Sequence, residues 1–564
     1  MKISTLSTGF FAGTVAASCK CFPGDACWPK PAEWKRFNQT VGGRLIATVP
    51  LAKACHDPSF DAATCQSLRS QWQYPDIHMD NSASIMAPFF ANQSCDPFTD
   101  RSVECTLGNY VRYAVAVESA ADVIATIEFA KSKNIRFVIR NTGHDYNGRS
   151  TGAGALSVWT HGLKSINFTT WKDAHYQGPA VKLGAGVQGY DAVEAGRQVG
   201  QVVVGGECPT VGIAGGYTQG GGHSALSTNF GLAADNTLEF EVVTADGRLV
   251  TASRTKNRDL YWALSGGGGG NYGVVISMTV KSHPDAGVGG ASLSFFSSSN
   301  PTEDFYAAIN AFHDALPAMV EAGIMVVYYF TSAFFMIAPI TAYNKTAAEV
   351  EQILAPYMAT LDSMNVTYSA SFSEFADYYG HYNQYFGPLP TGAIQVGIAQ
   401  YGGRLIPKSV IQNNSTEFHA VARSIAEKGI TFIGFGTDVS AFGQHGSNAV
   451  LPAWRDALVH AVLTTDWSFD PARWEEMLQK QDLMTNEIMP EIEAVTPGSG
   501  AYMNEADFQQ PRFQQEFFGS NYARLTTIKK RYDPQSFFYA RNAVGSEAWS
   551  ISNSGRMCRA RGRA

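Results

Sequence analysis

Two residues set in glycine-rich loops stand out as carriers of site chemistry, one imidazole and one thiol. His144 lies in Asn141-Thr142-Gly143-His144-Asp145-Tyr146-Asn147-Gly148, followed by Arg149 and Ser150. Cys208 lies in Gly205-Gly206-Glu207-Cys208-Pro209-Thr210-Val211-Gly212, a run that continues through Gly215, Gly216 and Gly222 to His223. Eight of the eighteen residues from Gly205 to Gly222 are glycine. That density lets backbone N–H groups approach a diphosphate with no side chain between, an anion nest that needs no lysine. Alone, a loop histidine is more often a satisfied polar residue and a lone cysteine a buried small hydrophobe. Together, with eight further cysteines free to form four disulfides, they become specific.

The cysteine arithmetic supports this. Seven of the nine, Cys19, Cys21, Cys27, Cys55, Cys65, Cys95 and Cys105, fall in the first fifth of the chain. There is no C-x-x-C pair, and His56 and His78 lack ligand spacing, so disulfides fit better than a metal and no metal is expected. Cys55 with Cys65 and Cys95 with Cys105 are the expected local pairs; Cys19, Cys21, Cys27 and Cys558 form two more of open connectivity. Met1-Lys2, an apolar stretch and small residues at Val15 to Ala17 read as a secretory leader over residues 1–18. Asn-x-Ser/Thr acceptors at Asn38, Asn92, Asn167, Asn344, Asn365, Asn413 and Asn414 agree with a secreted, N-glycosylated protein.

Two further motifs have bland readings. Gly148-Arg-Ser-Thr-Gly152 fits the G-x-S-x-G pattern, but a hydrolase elbow needs a strand before it and a helix after, and here a strand-like segment follows. Gly184-Ala-Gly-Val-Gln-Gly189 fits the dinucleotide pattern, with Glu207 at a plausible distance for a ribose hydroxyl. At least two strands precede it, so it does not open a βαβ unit, and a strand-to-helix turn is the better reading.

The elements that must hold these loops can be sketched from pattern. Ser119 to Asp122 is a capping box ahead of a helix with Val123, Ile124, Ile127 and Ala130 on one face. Strands are expected at Ile135–Ile139, Ala155–Trp159, Val181–Leu183, Gln201–Val204 and Asn271–Val280, with a helix over Tyr190–Gln198. From about Asp285 helices and antiparallel strands alternate. Pro301 opens one helix, Thr346 to Glu349 caps another, and Ala322–Asn344, free of charge, reads as a buried hairpin rather than a membrane span. Further strands are expected at Ala393–Tyr401 and Thr431–Phe435. The 564 residues are 45% hydrophobic and 16% charged with a net charge of -7, which excludes a disordered chain and gives no basic surface for nucleic acid.

Four ordered blocks carry a resemblance: Arg140 to Asp145, Gly206 to Gly212, Trp262 to Gly273, and Tyr532-Asp-Pro with Phe538-Tyr539-Ala-Arg-Asn542. They are similar to those of the vanillyl-alcohol-oxidase-like (PCMH-type) flavoproteins, within them the berberine-bridge-enzyme-like oxidases, and particularly a secreted fungal group resembling isoamyl alcohol oxidase. The resemblance implies an α+β fold. It would comprise a cysteine-rich segment at 19–107, a two-lobed FAD-binding domain at 108–285, an antiparallel-sheet substrate domain flanked by helices at 286–500, and a return to the FAD domain at 501–564.

It implies FAD held twice, through an 8α-histidyl bond at His144 and a 6-S-cysteinyl bond at Cys208. Arg140 to Gly143, Asp145, Gly148 to Ser150, Pro209 to Gly212, Gly215, Gly216, Gly222, Tyr539 and Asn542 would complete the cofactor site. Hydride would pass from a substrate carbon to the flavin and electrons then to dioxygen, giving hydrogen peroxide. A small Val211 at the position said to gate oxygen looks like an oxidase. Where many plant relatives place a tyrosine base this chain has His223, whose imidazole could serve, and Tyr502 and Asn504 are further catalytic candidates with Glu505 beside them.

The leading expectation is therefore a monomeric secreted oxidase of a small alcohol. A carbohydrate anomeric oxidase, an oxidative cyclase of a secondary metabolite, a non-catalytic flavin-fold binding protein and a nicotinamide dehydrogenase are the alternatives. The aromatic segments Ile324–Phe335 and Tyr378–Phe386 favour an apolar or aromatic substrate.

Overall fold

The computed structural model describes residues 19–443 and 446–560. The expected leader, residues 1–18, lies outside them.

The capping box forms as the pattern requires. Asp122 accepts the Ser119 backbone N–H at 3.1 Å and starts the helix Ala120–Ser132. Val123, Ile127 and Ala130 of that helix are buried in one cluster with Phe137, Leu156 and Val158. These belong to a four-stranded sheet, ordered Leu45–Ala47, Tyr113–Ala116, Leu156–Trp159, Phe137–Arg140, whose last three strands are parallel. The His144 loop starts where Phe137–Arg140 ends, the carboxyl edge at which open parallel sheets present ligands.

A second, five-stranded antiparallel sheet runs Ile166–Lys172, Gln177–Gly184, Val274–Lys281, Thr237–Val243, Leu249–Ser253. Its strand Gln177–Gly184 turns directly into the helix Gly189–Gln198. A Cβ on Gly186 would lie 2.1 Å from the His161 carbonyl oxygen and one on Gly184 2.3 Å from that of Leu163, so these glycines let chains pack closely. The helix N-terminus is already filled: Gly189 and Tyr190 donate their N–H groups to the carbonyls of Val211 and Pro209 at 3.0 and 2.8 Å. The dinucleotide-like motif thus anchors the Cys208 loop.

The third sheet is antiparallel throughout and has seven strands, ordered Tyr368–Phe375, Val288–Phe296, Phe334–Tyr343, Met325–Phe330, Thr431–Gly436, Ala457–Asp466, Ala399–Pro407. The charge-free stretch forms the expected hairpin within it. The helices Thr302–Glu321, Ala347–Ser363 and Ser415–Glu427 pack Phe312, Leu316, Leu354, Tyr357 and Phe418 against Tyr328, Phe335 and Phe432. Each such fully buried side chain contributes about 1.5–3 kcal/mol relative to exposure. Among the described residues no helix is long and apolar enough to cross a membrane.

Three expectations are corrected. The strand expected at 393–401 spans Ala399–Pro407 instead, because Gly392 and Gly397 take φ of +80° and +70° and keep the preceding stretch in a loop. Pro301, extended at ψ 145°, precedes its helix rather than opening it. The strand drawn from Asn271 begins at Val274.

The chain closes on itself by disulfide. Cys55–Cys65 and Cys95–Cys105 form the two local bridges, and the open connectivity resolves as Cys21–Cys27 and Cys19–Cys558. Cys208 is the free cysteine.

Candidate active site

His144 and Cys208 reach one point from two loops. His144 Nε2 lies 2.7 Å from the Thr210 hydroxyl, and Cys208 Sγ lies 3.4 Å from the same oxygen. Burial, with the nearby His78 and the charged Arg140, lowers the His144 pKa to about 3, so its imidazole is neutral with a lone pair available. Burial also raises the Cys208 thiol, against the opposing bond from Thr210.

Arg140 lies beneath the loop, not in the cleft. Its guanidinium donates to the carbonyls of Ser84 and His78 at 2.6 and 2.9 Å, and burial lowers it to about 10, still charged at neutral pH. Gly143 sits at φ +91°, and a Cβ there would meet that guanidinium at 2.5 Å, so glycine alone fits. Asp145 accepts the N–H groups of Asn147 and Ser150 at 3.0 and 2.7 Å and pins the rest of the loop.

Between the loops opens a cleft of about 1480 Å³, its mouth included. Asn141, Thr142, Gly143, Asp145, Arg149 and Ser150 line it from the first loop, and Val211, Gly212, Gly215 and Gly216 from the second. His144, Cys208, His223, Tyr502 and Asn504 line it too. Pro209, Thr210, Gly148, Gly222, Tyr539 and Asn542 do not; they sit behind the wall. Asn542, for example, donates to the Phe508 carbonyl at 2.8 Å, and the Tyr539 ring stacks on Arg136.

The lining suits a large polar cofactor. Asn141 Oδ1, Asn147 Oδ1, Arg149 Nη2 and Gln219 Oε1 are buried without a protein partner, which is costly unless a ligand supplies one. A Cβ on Gly269 would lie 2.8 Å from Gly216, so the glycine faces approach as closely as backbone allows. Unpartnered polar atoms beside closely packed glycine backbone are a lining that FAD would fit.

His223 and Glu505, both legible in the sequence, belong to a histidine and carboxylate array beyond Cys208 whose other histidine, His460, sequence reasoning missed. His223 Nε2 lies 3.0 Å from Glu505 Oε2 and its Nδ1 3.4 Å from Glu207 Oε2. His460 Nε2 lies 2.7 Å from that same Glu505 oxygen. Phe435, Trp454 and Tyr502 pack around the two imidazoles. Asn504 Nδ2 donates to the Tyr502 hydroxyl at 2.9 Å and to the Gly216 carbonyl at 2.8 Å, tying this segment to the glycine wall. Gly403 lets it press on the seven-stranded sheet, since a Cβ there would lie 2.0 Å from the Glu505 carbonyl oxygen.

Burial alone would lower His223, but the charges of Glu505 and Glu207 outweigh it and hold the imidazole well above its ordinary value. Burial alone would raise Glu505, but His223 and His460 hold it below the usual carboxylate range. Tyr146, also in the cleft, stacks on Tyr401 with centroids 3.7 Å apart. The aromatic segments singled out from sequence are core instead: Tyr328 and Phe335 lie under the helices, and Tyr378, Tyr382 and Phe386 form a separate buried cluster.

Comparison with known proteins agrees with this geometry. Residues 111–253 match a family described as FAD binding domain, and 501–545 one described as berberine and berberine like. The chain is 58% identical over 544 residues to the FAD-linked oxidoreductase ZEB1 of Gibberella zeae, covering 96% of this chain and 95% of that one. It is similar to the crystal structure of the VAO-type flavoprotein MtVAO615 from Myceliophthora thermophila, at 42% identity and TM-score 0.93, over 96% of this chain and 100% of that one. At 20% identity and TM-score 0.61 it shares its fold with glucooligosaccharide oxidase from Acremonium strictum, whose FAD is described as 6-S-cysteinyl, 8α-N1-histidyl; the match covers 77% of this chain and 92% of that one.

Proposed function

Since the chain belongs to the vanillyl-alcohol-oxidase-type, berberine-bridge-enzyme-like FAD-linked oxidoreductases, we propose that it is a secreted oxidase of a small alcohol carrying bicovalent FAD. The observation that carries this reading is the convergence of the His144 imidazole and the free Cys208 thiol on the Thr210 hydroxyl. These two side chains, each within reach of the one hydroxyl, are the groups that would hold the flavin. When bound, FAD accepts the substrate's hydride and passes the electrons to dioxygen.

The chain's own residues supply the rest. The neutral His144 has the lone pair an attachment needs, and the loops around Gly143 and Gly215 let backbone approach the cofactor. Arg149, bonded through Nη1 to Asn504 at 3.3 Å and bare at Nη2, offers a cationic donor to it. Tyr146, Tyr502 and Val396 wall the substrate end, and the array around Glu505 handles the hydroxyl proton. Four disulfides support secretion, because such bridges persist in oxidising compartments.

The test is denaturation and acid precipitation of the purified protein. Flavin absorbance should stay with the pellet in wild type, His144→Ala and Cys208→Ala, and leave it only in the double variant. A colourless wild-type pellet would refute covalent attachment. Peroxide release on a panel of alcohols, against sugars, then decides the substrate.

A further inference from the structure

Both ring nitrogens of His223 face carboxylates; Glu207 lines the cleft too, but its side chain is 10% exposed and its unpartnered Oε1 is buried, whereas the more exposed Glu505 keeps its second oxygen to spare. Glu505 Oε2 takes both imidazole contacts, at 3.0 Å from His223 and 2.7 Å from His460. Its side chain lines the cleft and is 25% exposed, against 5% for His223 and 0% for His460. We infer that Glu505, through Oε1, is the base that takes the substrate's hydroxyl proton, and that His223 is a fixed imidazolium holding it in place. This rests on the oxidase reading above.

The geometry assigns the three roles. His223 Nε2 is bonded to Glu505 and its Nδ1 faces Glu207 at an ion-pair distance of 3.4 Å, so a doubly protonated ring between the two carboxylates has no lone pair for a substrate. His460 is fully buried in the strand Ala457–Asp466, does not line the cleft and makes its hydrogen bond there to Glu505, which makes it a positioning residue. The other titratable groups around Glu505 are Tyr146, Tyr401 and Tyr502, all pushed above the ordinary phenol range by burial and by the Glu505 charge, so they hold their protons at neutral pH. Cys208, also nearby, is reserved for the cofactor.

The proton step balances. The substrate O–H bond breaks and an O–H bond forms at Glu505 Oε1, while the C–H electron pair leaves with its hydrogen as hydride to bound FAD and the carbon–oxygen double bond closes. A carboxylate of low basicity suffices, because the hydroxyl becomes strongly acidic as the carbonyl forms. The carboxyl proton then leaves through the cleft mouth.

Two measurements on the holoenzyme test this. With ¹⁵N-labelled histidine, the His223 ring signals, identified by their loss in His223→Gln, should stay those of an imidazolium across about pH 5–8, and Glu505→Gln should bring their titration into that range. A His223 titrating there in wild type would overturn the assignment. Under argon, bleaching of the flavin by benzyl alcohol or 3-methylbutanol should slow roughly 100-fold or more in Glu505→Gln, with partial rescue in Glu505→Asp. Rates within about threefold of wild type would overturn it.

His460→Gln should move the pH profile of bleaching more than its maximum. A mere loss of fold would lower cofactor content instead. Wild type that no alcohol bleaches would sink the oxidase reading, leaving the histidine signals to decide the charge state alone. The donor atoms of His223, His460 and Glu505 lie within 4.8 Å of one another, so metal analysis is the third arm. One tightly held ion per chain would replace the imidazolium and overturn the proposal.

Discussion

Acid should release the helix Tyr378–Phe386 through one histidine. His381 is fully buried against the seven-stranded sheet, its Nε2 2.8 Å from the Thr341 hydroxyl and its Nδ1 without a partner. Burial lowers its pKa to about 3. The unfolded imidazole binds a proton below about 6.5 while the native one does not, so its contribution is intact above that pH and is lost as pH falls toward 3. The loss is about 1.4 kcal/mol per pH unit, hence about 3 kcal/mol by pH 4.5. His381→Gln removes the titration, and if it also forfeits the Thr341 bond it costs about 1 kcal/mol at neutral pH. The variant should therefore be less stable than wild type at pH 7.5 and more stable at pH 4.5 in urea unfolding followed by tryptophan fluorescence. Comparing the two chains cancels the carboxylates that titrate in both. Parallel stability curves, or a variant that is the more acid-sensitive, would refute the argument. The consequence reaches the site, because Tyr382 of this helix donates to the Gly206 carbonyl at 2.7 Å and props the Cys208 loop.

Tyr382→Phe takes that donor from a half-buried carbonyl on the cleft wall, so stability should drop by about 0.5–1.5 kcal/mol, measured by the same urea titration. Lys529 is buried and donates to Asp533 at 2.7 Å and to the carbonyls of Asn271 and Phe538 at 2.6 and 2.9 Å; Lys529→Met strands the Asp533 carboxylate and should cost about 3–5 kcal/mol, seen as an earlier onset of thermal unfolding. Of the seven Asn-x-Ser/Thr sites, Asn38 is half-buried and accepts the Leu45 N–H at 3.0 Å, whereas the other six are exposed. Glycopeptide mass mapping should find Asn38 bare in protein that is modified elsewhere.

What the sequence made legible was local chemistry. His144 and Cys208 could be read because the glycines that admit a cofactor lie beside them and because nine cysteines leave one over. The bridges Cys55–Cys65 and Cys95–Cys105 each span ten residues, whereas Cys19–Cys558 spans 539, a distance over which no spacing rule acts. His460 was invisible for a related reason. Its strand is buried on both faces, so the two-residue alternation that would show which side faces the cleft is erased. Its place depends on register, with His460 opposite Phe435 on the neighbouring strand.

His223 is the sharper case, since its position on the cleft wall was legible and its charge state was not. A histidine where a tyrosine is usual invites the reading of an exchanged base, because an isolated imidazole titrates near neutrality. Here one carboxylate comes from the same glycine run and the other from a segment 282 residues away. Two anions on two nitrogens turn an acceptor into a cation, and they hand the acceptor's task to whichever carboxylate still has an oxygen facing the cleft. That exchange of roles belongs to the neighbourhood and not to the residue, so only the folded chain could assign it.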